Sequence, residues 1–325
     1  MMMTKVQMNK CLGCYRPIKD APHDGHYHQS CSKKLFGSET PPAVDFGAND
    51  LEELAKKSIS RHLGVTGVQP KISLHIEKKE NDPNHRLMIV DLWGSFILKP
   101  PTQQFPDMSV VEDATMHMAQ IVGLETARHG LIQLNSGELA YVTRRFDRPK
   151  KGRKTAVEDF CQLSELLTES KYDTSTEKAG KIILKYSSRP GLDAVTFFDL
   201  NLFCFLTGNA DMHLKNFSLM QNEAGEMILS PAYDLLSTRL LMAEDKEEMA
   251  LTVNGKKARI RREDFIALGK NLQIPEKAID NSFSRLLKPI PEMKDVVKNS
   301  FLSVELQKRF YKLLDERAKV LGCHG

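Results

Sequence analysis

GNADMHLKNFSL, residues 208–219, with SPAYDL following at 230–235, is the stretch on which the reading of this 325-residue chain turns. It sets out an Asp at 211, an Asn five residues later at 216, and a second Asp at 234 at the end of a short hairpin. Protein kinases use that order for phosphoryl transfer. The first carboxylate accepts or orients the proton of an incoming hydroxyl. The Asn amide oxygen and the second carboxylate supply the hard oxygen ligands that magnesium takes on the ATP phosphates. His213 and Lys215, in the same loop, would then lie near those phosphates. The competing reading is a polar loop held by Asx-type caps.

Upstream, other parts fall in the matching order. Lys99 ends the apolar run SFILKP (95–100), where a buried strand would hold its ammonium toward phosphate; a lone lysine at a strand end can equally be just solvated. Glu112, on the helical pattern VVEDATMHMAQIVGL (110–124), either pairs with Lys99 or interacts as a first-turn carboxylate with the helix dipole. The turn GVTGVQPK (64–71) either cradles phosphates on exposed amides or simply joins two strands. VEDFCQL (157–163) either meets adenine, with Phe160 packing on it, or starts a helix capped by Asp159.

The rest of the chain fits a two-lobed body. The runs KISLHI (71–76), RLMIVDL (86–92), SFILKP, GLIQL (130–134) and ELAYVTRRF (138–146) predict one antiparallel sheet, with the 110–124 helix inserted. A short helix is expected after Asp50. Beyond the basic turn PKKGRKTAVED (149–159), read as a solvated loop, helical patterns dominate: FCQLSELL, STEKAGKIILKYSS and TFFDLNLFCFLTGN. A hairpin turning near Asn222–Gly225 and about three helices from Arg262 to Leu321 complete an α+β chain. The expected divisions are 1–45, 46–157 and 158–325. Hydrophobic residues at 41% and charged residues at 27% argue against a disordered or fibrous chain. No run of about 18 apolar residues occurs, so a soluble cytoplasmic protein with no membrane partner is expected. The net charge of +4 is too dispersed to predict nucleic-acid binding.

The first tenth of the chain holds half of its six cysteines. Cys11 and Cys14 have Cys-x2-Cys spacing, and His28 and Cys31 have His-x2-Cys spacing, a set that fits a closed tetrahedral zinc site; His26 or His23 can stand in for His28. The segment has few large apolar residues, so a metal staple would account for its folding. Reduced surface cysteines are the alternative. His62, His75, His85, His117 and His129 have no partner that the sequence names.

Taken together, TGVQPKISL (66–74), FILKP (96–100), TRRFDR (143–148), EDFCQL (158–163), GNADMHLKNFSL and PAYDLLS (231–237) resemble the HipA family, the serine/threonine kinase toxins of type II toxin–antitoxin systems. The resemblance runs from about residue 50 to the C-terminus. It implies a protein-kinase-like fold, ATP with magnesium, and a protein substrate such as an aminoacyl-tRNA synthetase. It also implies Asp211 as catalytic base, Lys99 as phosphate-binding lysine, and Asn216 and Asp234 as magnesium ligands. Thr66, Gly67, Val68, Gln69 and Lys71 become the phosphate loop, Glu158 and Phe160 the adenine hinge, and His213, Lys215 and Tyr233 the nucleotide surroundings. The chain departs from the family at Gly64, where members often carry a regulatory serine, which leaves Ser58, Ser60 or Thr66 as acceptors for self-phosphorylation. Its short front resembles the HipT-like form, in which a small HipS-like protein supplies the missing subdomain and a HipB-like antitoxin, the only link to nucleic acid, is encoded alongside. A kinase-like binding or regulatory protein that has lost catalysis is the alternative of another class; a small-molecule kinase is the third.

Overall fold

A computed structural model describes residues 9–18, 26–47, 50–51, 70–77, 85–90, 94–149 and 154–322. The helix expected after Asp50 and most of the phosphate loop lie outside them. The chain divides into two compact units. One comprises Met1–Asp113, Ala127–Lys151 and Asn299–Phe301; the other comprises Ala114–Thr126, Gly152–Lys298 and Leu302–Gly325.

The first unit is built on an antiparallel sheet of β1 (Ile72–Glu77), β2 (Arg86–Ile89), β3 (Phe96–Lys99), β4 (His129–Gln133) and β5 (Leu139–Arg144), in the order β2-β1-β3-β5-β4. β3 is central, so three of its four residues are buried, including the lysine at its end. Its register sets Lys99 opposite Tyr141 on β5. Ahead of the sheet in sequence, residues 9–18 and α1 (Gln29–Phe36) form a knuckle. β4 is an edge strand, and an edge leaves backbone groups to be satisfied. Here Leu131 donates its N–H to the Leu12 carbonyl (3.1 Å), and its own carbonyl accepts from the Tyr27 hydroxyl (2.6 Å). Gly130 makes room for that hydroxyl, since a Cβ there would meet it at 2.5 Å. Leu12, Tyr15, Tyr27, Leu35 and Phe36 are all buried. The knuckle's few large side chains thus find their core against the sheet.

α2 (Met108–Ile121) follows β3. The second unit contains β6 (Val157–Asp159), α3 (Phe160–Leu163), α4 (Thr176–Tyr186), α5 (Pro190–Thr207), β7 (Ser218–Gln221), β8 (Met227–Leu229), α6 (Thr238–Leu241) and four final helices. These are α7 (Arg262–Asn271), α8 (Glu276–Leu287), α9 (Ile290–Asn299) and α10 (Val304–Val320). From Phe197 onward α5 is buried on every side, as a central helix is, with Phe197, Phe198, Leu202, Phe203, Phe205 and Leu206 all buried. The expected 222–225 hairpin is present, and β6 adds a third strand in the order β6-β7-β8.

Three expectations change. The helix expected over 160–167 closes at Leu163, because Glu165 takes a left-handed φ of 55° and Leu166 and Leu167, 40% and 77% exposed, offer no apolar face to continue it. α5 starts at Pro190, not Thr196, with proline in the first turn, where its missing N–H costs no helical bond. The C-terminal tail holds four helices where about three were expected. Among the described residues, no helix is long and apolar enough to cross a membrane.

Candidate functional site

In the second unit, α5 ends at Gly208, whose left-handed φ of 69° turns the chain out of the helix. A Cβ there would lie 2.8 Å from both Arg239 Cβ and Leu313 Cδ2, so glycine suits the position sterically as well. The loop that follows is held from within. Asn209 Oδ1 accepts the Asp211 N–H (3.1 Å), and Thr238 Oγ1 accepts the Ala210 N–H (2.9 Å) while donating to the Gly208 carbonyl (3.3 Å). The Asp211 carbonyl accepts the His213 N–H (2.9 Å) and the Asn216 Nδ2 (3.1 Å). With its amide nitrogen so committed, Asn216 has its amide oxygen to offer a cation.

Asp211 itself is exposed, and its Oδ1 accepts the Tyr172 hydroxyl at 2.5 Å. Burial, and then the bond to Asp211, hold the Tyr172 phenol well above its usual range, so it stays a proton donor. The arrangement leaves Asp211 an anchored carboxylate facing solvent, which is what a base for an incoming hydroxyl requires. Asp234 stands at φ 60°, a strained backbone for a residue other than glycine, and such strain persists where the surroundings over-determine it. Lys215 pairs with Asp159 (3.2 Å). Its carbonyl accepts the Tyr233 hydroxyl (2.9 Å), so Ser218 Oγ is the donor in its 2.6 Å bond to Tyr233. The His213 ring is buried with its face or edge against Tyr172, the planes 81° apart, and burial pulls its pKa below the ordinary value, favouring the neutral imidazole.

At the expected hinge, Asp159 caps α3 in a reciprocal box with Gln162, and Glu158 is exposed on β6 opposite Leu219. The Phe160 ring is fully buried against Phe197 and Phe217, so it is core, and its backbone N–H is taken by the Phe217 carbonyl (2.9 Å). The cap reading of this segment is therefore the one the geometry follows.

In the first unit, Lys99 Nζ donates to Glu112 Oε1 at 2.5 Å, the two side chains being 5% and 1% exposed. The ammonium also lies 5.4 Å from the Tyr141 ring centroid. Burying two charges together brings little net stability, since an apolar pair is often as stable. Thr66, Gly67, Val68 and Gln69 lie outside the described residues; Lys71 is exposed just ahead of β1.

Also in this unit, the ligand atoms of Cys11, Cys14, His28 and Cys31 lie within 4.8 Å of one another. His28 Nε2 faces the Pro17 carbonyl at 3.1 Å, which assigns the proton to Nε2 and leaves the Nδ1 lone pair toward Cys14 Sγ (3.4 Å). The N–H groups of Gly13 (3.4 Å) and His28 (3.3 Å) both point at Cys11 Sγ. The crowded sulfurs set one another's acidity: bonds from Cys11 and then Cys31 draw the Cys14 thiol down, while Cys11 and then Cys14 push Cys31 up. A divalent cation would remove that conflict, and three thiolates with one imidazole form a closed structural zinc set.

Tyr172, Asn209 and Thr238 were not read from the sequence, and their contacts explain why. Tyr172 reaches Asp211 across 39 residues and Thr238 reaches Ala210 across 28, with no periodicity linking either pair. Asn209, two residues before Asp211, carried only a weak local signal as an Asx-type cap.

Residues 63–293 match the HipA-like C-terminal domain family. A candidate kinase of Haemophilus influenzae is 24% identical over 90% of this chain and 91% of its own length. The serine/threonine-protein kinase toxin HipA of Shewanella oneidensis is 27% identical, over 71% of this chain and 56% of its own length. The structure of a Shewanella oneidensis HipA, in a complex with HipB and its operator DNA, matches with a TM-score of 0.66 at 21% identity, covering 82% of this chain and 70% of that one. The fold is α+β and protein-kinase-like. The chain spans about half the length of the Shewanella sequence and nearly all of the Haemophilus one.

Proposed function

This chain belongs to the HipA-like C-terminal domain family, and from that premise we propose that it is an ATP- and magnesium-dependent serine/threonine protein kinase. Its proposed role is toxin of a type II toxin–antitoxin system in the cytoplasm. The observation that carries the reading is the anchored loop: Asp211 fixed by Tyr172, with Asn216 tied to the Asp211 carbonyl so that its amide oxygen is the atom left for a cation. In this reading Asp211 takes the proton of the attacking seryl or threonyl hydroxyl. Asn216 and Asp234 would hold magnesium, which when bound supplies the positive charge that offsets the phosphate oxygens. Lys99, kept in place by Glu112, binds phosphate. His213, Lys215, Tyr233 and Lys71 border the nucleotide, together with Thr66, Gly67, Val68 and Gln69. Glu158, exposed on β6, borders the adenine, while Phe160, whose ring is buried and whose N–H is taken by Phe217, supports the hinge from the core. Residues 1–45, 46–157 and 158–325 act as zinc knuckle, N-lobe and C-lobe.

A HipB-like partner is supported by the solved Shewanella complex of HipA with HipB, and the substrate class and a HipS-like partner rest on the sequence resemblance alone. We propose a translation component such as an aminoacyl-tRNA synthetase as substrate, and a HipB-like antitoxin and a small HipS-like subdomain protein as partners. The test is to incubate the chain and these partners with Mg-ATP and purified aminoacyl-tRNA synthetases, then map phosphoserine and phosphothreonine by mass spectrometry. Phosphorylation that disappears with Asp211→Ala supports the reading. Absence of any phosphorylated protein here and in whole lysate would favour a catalytically silent binding protein.

A further inference from the structure

Tyr15 directly follows Cys14 and stands at a left-handed φ of 64°. Glycine or asparagine adopts that backbone readily, whereas a bulky residue there costs on the order of 1 kcal/mol or more. The position must turn this way for the knuckle to form: the Tyr15 N–H bonds back to the Cys11 carbonyl (2.9 Å), closing the loop that carries the first two ligands. A strained tyrosine at such a site implies a use for the side chain. It is 5% exposed, and its hydroxyl donates to Asp113 Oδ2 at 2.5 Å.

Asp113 is fully buried on α2, one residue after Glu112, and its other oxygen meets His129 Nδ1 at 2.7 Å. The His129 ring stacks on Tyr141 (5.9 Å, 23°), and Tyr141 is the ring beneath the Lys99 ammonium. Lys99 returns to α2 through Glu112. Five side chains, Asp113, His129, Tyr141, Lys99 and Glu112, close a buried circuit through the α2 backbone, and Tyr15, the residue beside a cysteine ligand, ties the knuckle to it.

We infer that Cys11, Cys14, His28 and Cys31 bind one zinc ion and that the loaded knuckle is a positioning element for the Lys99–Glu112 pair. The metal fixes the turn at Tyr15, Tyr15 fixes Asp113, and Asp113 holds the first turns of α2 so that Glu112 faces Lys99. Binding converts the thiols to thiolates and releases their protons to solvent, with no change of oxidation state. The metal site and its grip on the first turns of α2, up to Asp113, stand on the first unit alone; only the consequence for phosphate transfer rests on the kinase reading.

The test uses the full chain. Metal analysis and cobalt titration come first, where a tetrahedral site with three sulfurs gives intense visible and near-ultraviolet bands saturating at one equivalent. Hydrogen exchange at amides 110–113 of α2 is then compared with and without chelator, in the native chain and in Tyr15→Phe. That variant keeps the ring and the ligands and removes only the hydroxyl, so it is expected to bind a full equivalent of cobalt. Metal removal should speed exchange at 110–113 in the native chain, and Tyr15→Phe should show the faster exchange already, with little further change on chelation. In the kinase assay, Tyr15→Phe should raise the ATP KM about tenfold, the loss of one hydrogen bond to a charged group. No cobalt spectrum, or exchange at 110–113 indifferent to both chelator and Tyr15→Phe, overturns the inference even if phosphate transfer is robust. Cobalt binding with coupled exchange but no phosphate transfer upholds the brace and instead overturns the kinase reading.

Discussion

Replacing Glu112 by leucine leaves the Lys99 ammonium buried without its carboxylate. The size of the penalty separates a pair kept for stability from one kept for chemistry. The two side chains are 5% and 1% exposed and 2.5 Å apart, so solvent screens them little. Removing one partner of such a pair costs about 3–5 kcal/mol, whereas replacing both with apolar residues of similar volume is close to neutral. Glu112→Leu alone should therefore lower the melting temperature by roughly 6–20 °C, at about 2–4 °C per kcal/mol for a domain of this size. Lys99→Met combined with Glu112→Leu should return to within about 1 kcal/mol of the native chain, since methionine replaces the lysine stem and leucine the carboxylate without a charge to desolvate. Both variants should be inactive in phosphotransfer. Thermal unfolding of the native chain, both single variants and the double variant gives the complete cycle. If Glu112→Leu melts with the native chain, or the double variant melts as low as the single, the burial argument fails.

Further outcomes follow from the second unit. Tyr172→Phe removes the hydroxyl that anchors Asp211, a hydrogen bond to a charged group worth about 1.5–3 kcal/mol; kcat should fall about 10- to 100-fold with the ATP KM unchanged, and an unaltered kcat would exclude the anchoring role. Asp264 begins the opposite case, one of stability and pH. Burial pushes its carboxyl up, but bonds from Lys256, Asn254 and the Arg261 N–H outweigh this and hold it below its ordinary value of 3.8. A folded pKa below the unfolded one means the stabilisation is complete above that ordinary value and is lost as pH falls beneath it toward the folded value. The stability gap between the native chain and Asp264→Asn should therefore be constant near neutrality and close below about pH 4. A gap independent of pH down to about 3 would refute the assignment.

What the sequence made legible was what is local. Asp211 and Asn216 sit five residues apart, and β7 and β8 return Asp234 after one short hairpin, so order alone was enough to bring the proposed site to notice. The sheet was legible because alternation along β1 and continuous burial along β4 and β5 leave a pattern in the residues themselves. The Lys99–Glu112 pair was left open, because a helix with glutamate near its start reads the same whether that residue faces a strand or solvent. Tyr15 and Asp113, 98 residues apart, leave no joint trace, and His129, which had no partner in the sequence, meets Asp113 only after two strands and a helix are assembled. Of the two readings left open at Phe160, the structure follows the capped helix start, and the sequence could not choose it for a related reason. Three phenylalanines, at 160, 197 and 217, converge from separate elements, and nothing in their spacing announces it.

The most direct test of the account is transfer of labelled phosphate from γ-labelled ATP with magnesium into proteins of a cell lysate, by the native chain beside a folded Asp211→Ala variant. The account predicts a labelled protein with the native chain, a rate about 10²–10⁴-fold lower with the variant, and equal Mg-ATP affinity in both. Equal background labelling by the two proteins, with both folded and both binding Mg-ATP, would contradict it.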